Sequence, residues 1–140
     1  MLLTALALLI GYLTLSISTA LLYSTWMSIA MVGGEMYVVP VQFIAIAGIC
    51  GLGFATLSGY LVGLVARRAP VAHAAVLSLM LLVTWALSTF IGESKEPSLI
   101  SILNIVIALT GTMVGGWIRY AQVKAADNKG NTVEAKSIKA

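Results

Sequence analysis

The sequence predicts an all-α fold, a bundle of four transmembrane helices that arises by tandem duplication of a helical hairpin. Three observations predict it. The 140 residues are 60% hydrophobic and 9% charged, with a mean hydropathy of +1.02, well above that of an ordinary water-soluble domain. Charge, Pro and Gly divide the chain into four apolar runs, each long enough to cross a bilayer core, which takes about 20 residues. Segments of the second and fourth runs also resemble each other in sequence.

The predicted spans end at charged residues or at helix breakers. They cover residues 2–30, 40–66, 71–91 and 98–120, approximately. Pro40, Pro70 and Pro97 stand at or before a helix start, where the missing N–H costs little. We expect a single membrane domain over residues 1–120. Residues 121–140 should form a polar cytoplasmic tail that, free in water, is a frayed helix or disordered.

The first span resembles a secretory signal, but no basic region precedes it, so we expect it to be retained. The distribution of Lys and Arg predicts the orientation. Seven of the eight fall on one side, namely Arg67, Arg68, Arg119, Lys124, Lys129, Lys136 and Lys139, and Lys95 falls on the other. The positive-inside rule therefore predicts cytoplasmic N- and C-termini. Arg67, Arg68, Arg119 and Lys124 would form a basic collar that attracts anionic lipid or only sets the orientation.

An internal duplication is indicated by residues 57–67, which align with residues 109–119 at coincident Leu, Gly, Val, Gly and Arg positions. A weaker similarity joins the first and third spans. Two hairpins in the same orientation would be parallel repeats, related by an axis along the membrane normal. The alternative is a chance match between apolar segments of low diversity.

Small residues recur every four positions in the second span, at Ala47, Gly51, Ala55, Gly59 and Gly63. The fourth span repeats the pattern with Gly111 and Gly115. Such GxxxG-like stripes let two helix backbones approach closely. Two interpretations stay open: the stripes face inward and hold one bundle together, or the stripe of the second span is a docking face for another subunit.

The composition argues against catalysis and against nucleic-acid binding. No carboxylate or Lys lies inside the spans, and Arg119 stands only at the end of the fourth. Transporters and pumps usually keep a titratable group at mid-depth. We expect Asn104 to bond a neighbouring helix and Gln42 to lie near the outer interface. No nucleophile with a base, metal cluster or phosphate loop occurs, so we predict no enzyme and no metal. The net charge of +3 is too small for a nucleic-acid footprint.

His73 is the one histidine of the chain and follows Pro70 at the start of the third span. It is the candidate for a pH-sensitive group, a quinone contact or an axial ligand to a chlorophyll-type pigment. The simpler interpretation is an interfacial histidine that bonds head groups or the helix start. We expect bound lipid and no resident cofactor, with a pigment or quinone near His73 as the alternative.

Residues 59–74 read Gly-Tyr-Leu-Val-Gly-Leu-Val-Ala-Arg-Arg-Ala-Pro-Val-Ala-His-Ala. This segment resembles one in small, uncharacterised bacterial four-helix membrane proteins, in which a glycine-rich second helix runs into Ala-Arg-Arg-x-Pro and then His-Ala or a close variant. The similarity covers the second to fourth spans. It implies a four-helix protein of the bacterial inner membrane and implies no activity, so no functional residue is carried over.

These observations predict a non-catalytic accessory or scaffolding subunit that packs against other integral membrane subunits of a larger complex. An energy-transducing or photosynthetic complex is the narrower expectation. The alternative is a small homo-oligomeric channel or transporter for a neutral or weakly charged solute. Asn104, Gln42 and a Ser/Thr stripe of the first span would line its path. That stripe comprises Thr4, Ala7, Gly11, Thr14, Ser18, Thr25 and Ser28.

Overall fold

The protein is a bundle of four helices. The computed structural model describes residues 2–31, 41–66, 69–91 and 98–137, with side chains at 3–22, 24–25, 44–66, 69–91 and 101–128. The helices are α1 (Leu2–Met31), α2 (Val41–Ala66), α3 (Pro70–Ile91) and α4 (Ser98–Ser137). Each is long and apolar enough to cross a membrane, and the described ranges contain no strand. The predicted all-α fold of four membrane-spanning helices is confirmed.

The helix bounds match the predicted spans except at the end of α4. This helix does not stop at Tyr120 but continues through Ser137. Its apolar window reaches Asn128, so the chain enters its polar segment as a helix rather than as a frayed or disordered tail. The extension past Tyr120 is about 25 Å long at 1.5 Å per residue.

The helices pack around α2 and α4, which share the most extensive contact. The first helix packs against α2 and α3, and α3 also packs against both α2 and α4. Within the described residues, α1 and α4 do not approach each other. A duplication axis would make the α1–α4 contact equivalent to the α2–α3 contact, so any two-fold symmetry is incomplete. The duplication itself stays a prediction.

One half of the bundle is tightly packed, and we call it the closed half: residues 3–11, 55–66, 70–78 and 111–122. Its core consists of Ala7, Val62 and Leu77, each fully buried. Buried hydroxyls join the helices here. Ser58 donates to the Gly11 carbonyl over 2.6 Å, and the hydroxyls of Ser78 and Thr112 lie 2.6 Å apart. A second part, residues 12–22, 44–51, 81–91 and 101–108, is called the open half.

Glycine makes the close packing of α2 and α4 feasible. A Cβ at Gly59 would lie 2.8 Å from the Thr112 carbonyl carbon, and one at Gly115 would lie 2.6 Å from the Tyr60 nitrogen. Real side chains essentially never approach backbone atoms this closely, so only glycine fits without a shift of the helices. This part of the small-residue stripe therefore faces another helix of the same chain.

The turn between α2 and α3 contains a left-handed residue, Ala69, with φ of 48°. The ring of Pro70 disfavours the right-handed helical region for the residue that precedes it, and Pro70 itself occupies the first position of α3. The Ala69 carbonyl accepts a hydrogen bond from the His73 backbone N–H over 3.3 Å. Ala69 is thus the N-cap of α3, held in a conformation that costs an L-residue about 1–2 kcal/mol.

Candidate functional site

A cavity of about 510 Å³ lies in the open half and is lined by all four helices. Its volume is within the range of small-molecule sites, about 300–1,000 Å³. It lies where α1 and α4 would otherwise meet. Because these two helices make no contact within the described residues, the cavity fills the space between them.

The cavity forms because close packing is confined to the other half. Gly48 and Gly51 on α2 do not meet the backbone of α4; Cβ atoms there would lie 3.6 and 3.8 Å from the Ile107 side chain, which is ordinary contact. The bulk of Ile107 therefore separates α2 from α4 at the level where Ala47 and Gly51 line the cavity. The small-residue stripe thus has two roles, packing at one end and cavity lining at the other.

Apolar side chains form part of the cavity wall next to the closed half. Leu15 and Ile105 line it and are only 8% and 9% exposed. Beyond them stands the packed layer of the closed half, where Val62, Leu77 and Thr112 are fully buried. The packed layer therefore bounds the cavity on the side of the closed half.

A polar layer lies beside these apolar residues, and hydrogen bonds between the helices place it. The Trp85 indole N–H donates to the Ser101 hydroxyl over 2.8 Å, and Ser78 contacts Thr112 about two to three turns further along. These contacts set the register of the antiparallel α3 and α4 and bring Asn104 level with Trp85. On α1, which runs parallel to α3, Ser16 lies close to the same level.

The polar residues that line the cavity are, in chain order, Tyr12, Ser16, Thr19, Thr84, Trp85, Ser88 and Asn104. None of them is acidic, basic or histidine. Asn104, expected from the sequence to bond a neighbouring helix, has an interaction partner and also lines the cavity, so it is one of the predicted residues that the structure brings to this site. Ala47 and Gly51 are two others.

The predicted Ser/Thr stripe of α1 does not line the cavity at Thr14 and Ser18, and Thr25 is exposed. The side chain of Ser28 lies outside the described residues. Ala7 and Gly11 are buried as that stripe requires, but the inward face continues through Leu15 and Thr19 rather than through Thr14 and Ser18. A search for small residues misses this path, because Leu15 is large and interrupts the pattern. A strict step of four from Ala7 would have found it.

His73 lies in the closed half, away from the cavity. Its Nδ1 is 3.0 Å from the Ala69 carbonyl and its Nε2 is 3.4 Å from the Thr4 hydroxyl. Both ring nitrogens thus contact protein groups, and a pigment or quinone could use one only by replacing such a contact. The geometry matches the simpler interpretation of a histidine bonded to the helix start.

The basic collar is described only in part. Arg119 is half-buried, and its Nη1 and the Tyr60 hydroxyl both donate to the Gln122 side-chain oxygen, over 3.4 and 3.1 Å. Its Nε is buried and has no hydrogen-bond partner among the described residues. Lys124 is exposed. The side chains of Arg67, Arg68 and Gln42 lie outside the described residues.

The packing residues predicted from sequence lie mainly in the closed half. Ala55, Gly59, Gly63, Gly111 and Gly115 are all buried there. Within the described part of the chain, no three His, Cys, Asp or Glu side chains gather as metal ligands would. Comparisons with protein families, with curated proteins and with solved structures find no match to this chain.

Proposed function

We propose that this protein is a membrane-embedded binding protein or transporter for a small uncharged molecule, which it holds in the cavity of the open half. The observation that carries the proposal is the cavity itself, about 510 Å³ in volume and lined by all four helices. Mostly apolar walls with a few converging polar groups are typical of small-molecule sites.

The absence of charge from the lining supports an uncharged ligand. A charged group inside a membrane protein is stable only when it is paired or hydrated, and among the described residues no acidic, basic or histidine side chain lines this cavity.

Filling the cavity tests the proposal. Ala47→Leu would add three carbons to its wall, whereas Ala45→Leu, two positions away on α2, would add them at an exposed position. Each protein is purified in lipid nanodiscs, extracted with solvent and analysed by mass spectrometry for a molecule present at fixed stoichiometry. We expect Ala47→Leu to lose it and Ala45→Leu to retain it. Equal retention by both variants would refute binding in this cavity.

A second candidate is the accessory subunit of a larger membrane complex, with an energy-transducing or photosynthetic complex as its narrower form. The buried glycines no longer support it, since they pack against helices of the same chain. The helical extension of α4 through Ser137 does support it. Most of the stability of a helix in a protein comes from tertiary packing, so a partner that packs on the extension would stabilise it.

Truncation after Asn128 tests this candidate. The full chain and the truncated chain are extracted from native membranes in mild detergent, and the fractions are analysed by size, mass spectrometry and absorption. Co-elution of the full chain alone with a larger assembly would support the accessory role. Elution of both as the same small species would exclude a partner that is held by the extension.

The proposal includes location in the bacterial inner membrane with both termini in the cytoplasm. It is supported by the excess of Lys and Arg on the side of the C-terminus, where Lys124 is exposed on α4. Alkaline phosphatase fused after Ala140 should be inactive, and the same reporter inserted between Glu93 and Lys95 should be active. The reverse pattern of activity would show that the C-terminus lies outside the cytoplasm, which would contradict the proposed topology.

A further inference from the structure

We infer that the ligand is an uncharged amphiphile with a hydroxyl or carbonyl head group, and that Thr19 supplies the hydrogen bond that selects this head. This inference rests on the proposed function, because it concerns the same cavity. It adds the chemical class of the ligand and the residue that recognises the head group.

The hydroxyl of Thr19 differs from that of every other described threonine. Seven of these bond the carbonyl of the preceding helical turn: Thr14, Thr25, Thr56, Thr84, Thr89, Thr110 and Thr112. An eighth, Thr4, contacts His73. Bonding within the helix is the usual way for a threonine in an apolar helix to satisfy its hydroxyl. Among the described threonines, Thr19 alone makes no hydrogen bond to another protein group, and it lines the cavity.

The neighbours of Thr19 define what its hydroxyl can meet. Ser16 lies one turn earlier on the same face of α1, and Ser88 lies opposite on α3. The Trp85 indole N–H, which could otherwise donate to a ligand, already bonds Ser101. The layer therefore offers hydroxyl groups that donate and accept, which suit an alcohol or a carbonyl. It offers no charge to pair with a carboxylate or an ammonium head.

The apolar part of the cavity accounts for the rest of the ligand. Leu15, Leu81 and Ile105 line part of the cavity, and they give an alkyl chain apolar contacts there. A molecule with one polar head and a flexible apolar body satisfies both regions.

Trp85 lines the cavity and reports on its occupancy. A variant with Trp26→Phe and Trp117→Phe retains Trp85 as its single tryptophan. In nanodiscs it is titrated with 11-bromoundecan-1-ol, with 1-bromoundecane and with 11-bromoundecanoate at pH 8. Bromine quenches a tryptophan that it contacts. A variant that retains Trp117 alone, which is 63% exposed on α4 in the closed half, measures quenching by probe dissolved in the lipid.

We expect the alcohol to quench Trp85 saturably and at least fivefold more tightly than the bromoalkane or the carboxylate, while Trp117 is quenched without saturation by all three. Thr19→Val, which replaces the hydroxyl by a methyl group of the same shape, should weaken alcohol binding about fivefold. Thr25→Val is the matched control, because the Thr25 hydroxyl bonds the Leu21 carbonyl, and it should leave binding unchanged.

Two results would overturn the inference, and they are distinguishable. If all three probes saturate Trp85 alike, or if Thr19→Val binds the alcohol normally, the cavity binds ligands but Thr19 does not select their head group. If no probe saturates Trp85 while the stoichiometric ligand of the Ala47 experiment is also absent, the proposed function fails with it. The identity of the native ligand found in that extraction shows whether the source of the alcohol or carbonyl group is a membrane lipid or a soluble molecule.

Discussion

At the scale of single residues, this bundle depends on what lies opposite each glycine. Gly59 faces the backbone of Thr112, whereas Gly53 on the same helix has no atom within 4 Å of the position of a Cβ. The sequence does not distinguish these two positions, since both are glycines in an apolar helix. The neighbouring helix alone makes one essential and the other dispensable.

Gly59→Ala should therefore destabilise the bundle by about 1–3 kcal/mol, the usual cost of overpacking, because the Thr112 backbone cannot rotate away. Gly53→Ala should be neutral or stabilise by up to about 1 kcal/mol, since alanine is the better helix former. Unfolding by SDS in mixed micelles measures both. Equal effects of the two substitutions would contradict the α2–α4 packing.

A hydrogen bond between two hydroxyl groups also joins neighbouring helices. Thr112 donates to the Ala108 or Leu109 carbonyl of its own helix, over 2.9 or 3.0 Å, so Ser78 is the donor in the bond between the two hydroxyls. A double-mutant cycle with Ser78→Ala and Thr112→Val should give a coupling energy of about 0.6 kcal/mol, and at most about 1.7 kcal/mol, as for other bonds between membrane helices. Additive effects would show that the two groups do not interact.

At the scale of elements, the turn from α2 to α3 is strained at a defined point. Ala69 has a positive φ, which glycine adopts freely and β-branched residues adopt poorly. Its strain persists because Pro70 begins α3 directly after it and the Ala69 carbonyl caps the helix. The arrangement brings α3 back against α2 within a very short connection.

The free energy of unfolding should decrease from the glycine variant at position 69, through the natural Ala69, to the valine variant. Glycine relieves the left-handed strain of about 1–2 kcal/mol but loses about 0.4–1 kcal/mol through greater freedom in the unfolded chain, so a net gain near 0.5 kcal/mol is expected. Valine should be less stable than alanine. The same SDS titration measures the order, and a more stable Val variant would contradict the left-handed turn.

At the scale of the whole molecule, the difference between the two halves should appear as different tolerance to volume. Ala55 is fully buried against Gly111 in the closed half, whereas Ala108 lines the cavity in the open half. Both are alanines on the facing surfaces of α2 and α4, so they form a natural comparison.

Ala55→Leu should destabilise the protein by about 1–3 kcal/mol through overpacking. Ala108→Leu should change the free energy of unfolding by less than about 1 kcal/mol, because the added methylenes enter existing space. Thermal unfolding in nanodiscs measures the difference. A larger loss for Ala108→Leu than for Ala55→Leu would show that the cavity is filled by the protein itself.

Much of the fold was accessible from the sequence because bilayer physics imposes strong limits. Spans of about 20 apolar residues must be helical to satisfy their backbone, and the predicted bounds agree with α1, α2 and α3 closely. The end of α4 was not predictable in this way, since its final turns are polar and no bilayer constraint acts on them. The candidate site was predicted only at Asn104, Ala47 and Gly51. Ser16, Thr19 and Trp85 carry no signal that distinguishes them from other residues of apolar helices.

The sequence by itself determined the membrane location, the number of helices and their bounds in the apolar region. These properties depend on composition and on contacts with lipid, and both are local. Only the tertiary structure decided that the glycine stripe packs against α4 of the same chain, that α1 and α4 stay apart, and that a cavity lies between them. The stripe at Gly59 and Gly63 is equally compatible with a partner subunit until the register of α2 against α4 is known. That register depends on the side chains that meet across the helices, such as Ile107 opposite Gly51, and no pattern within one helix specifies it.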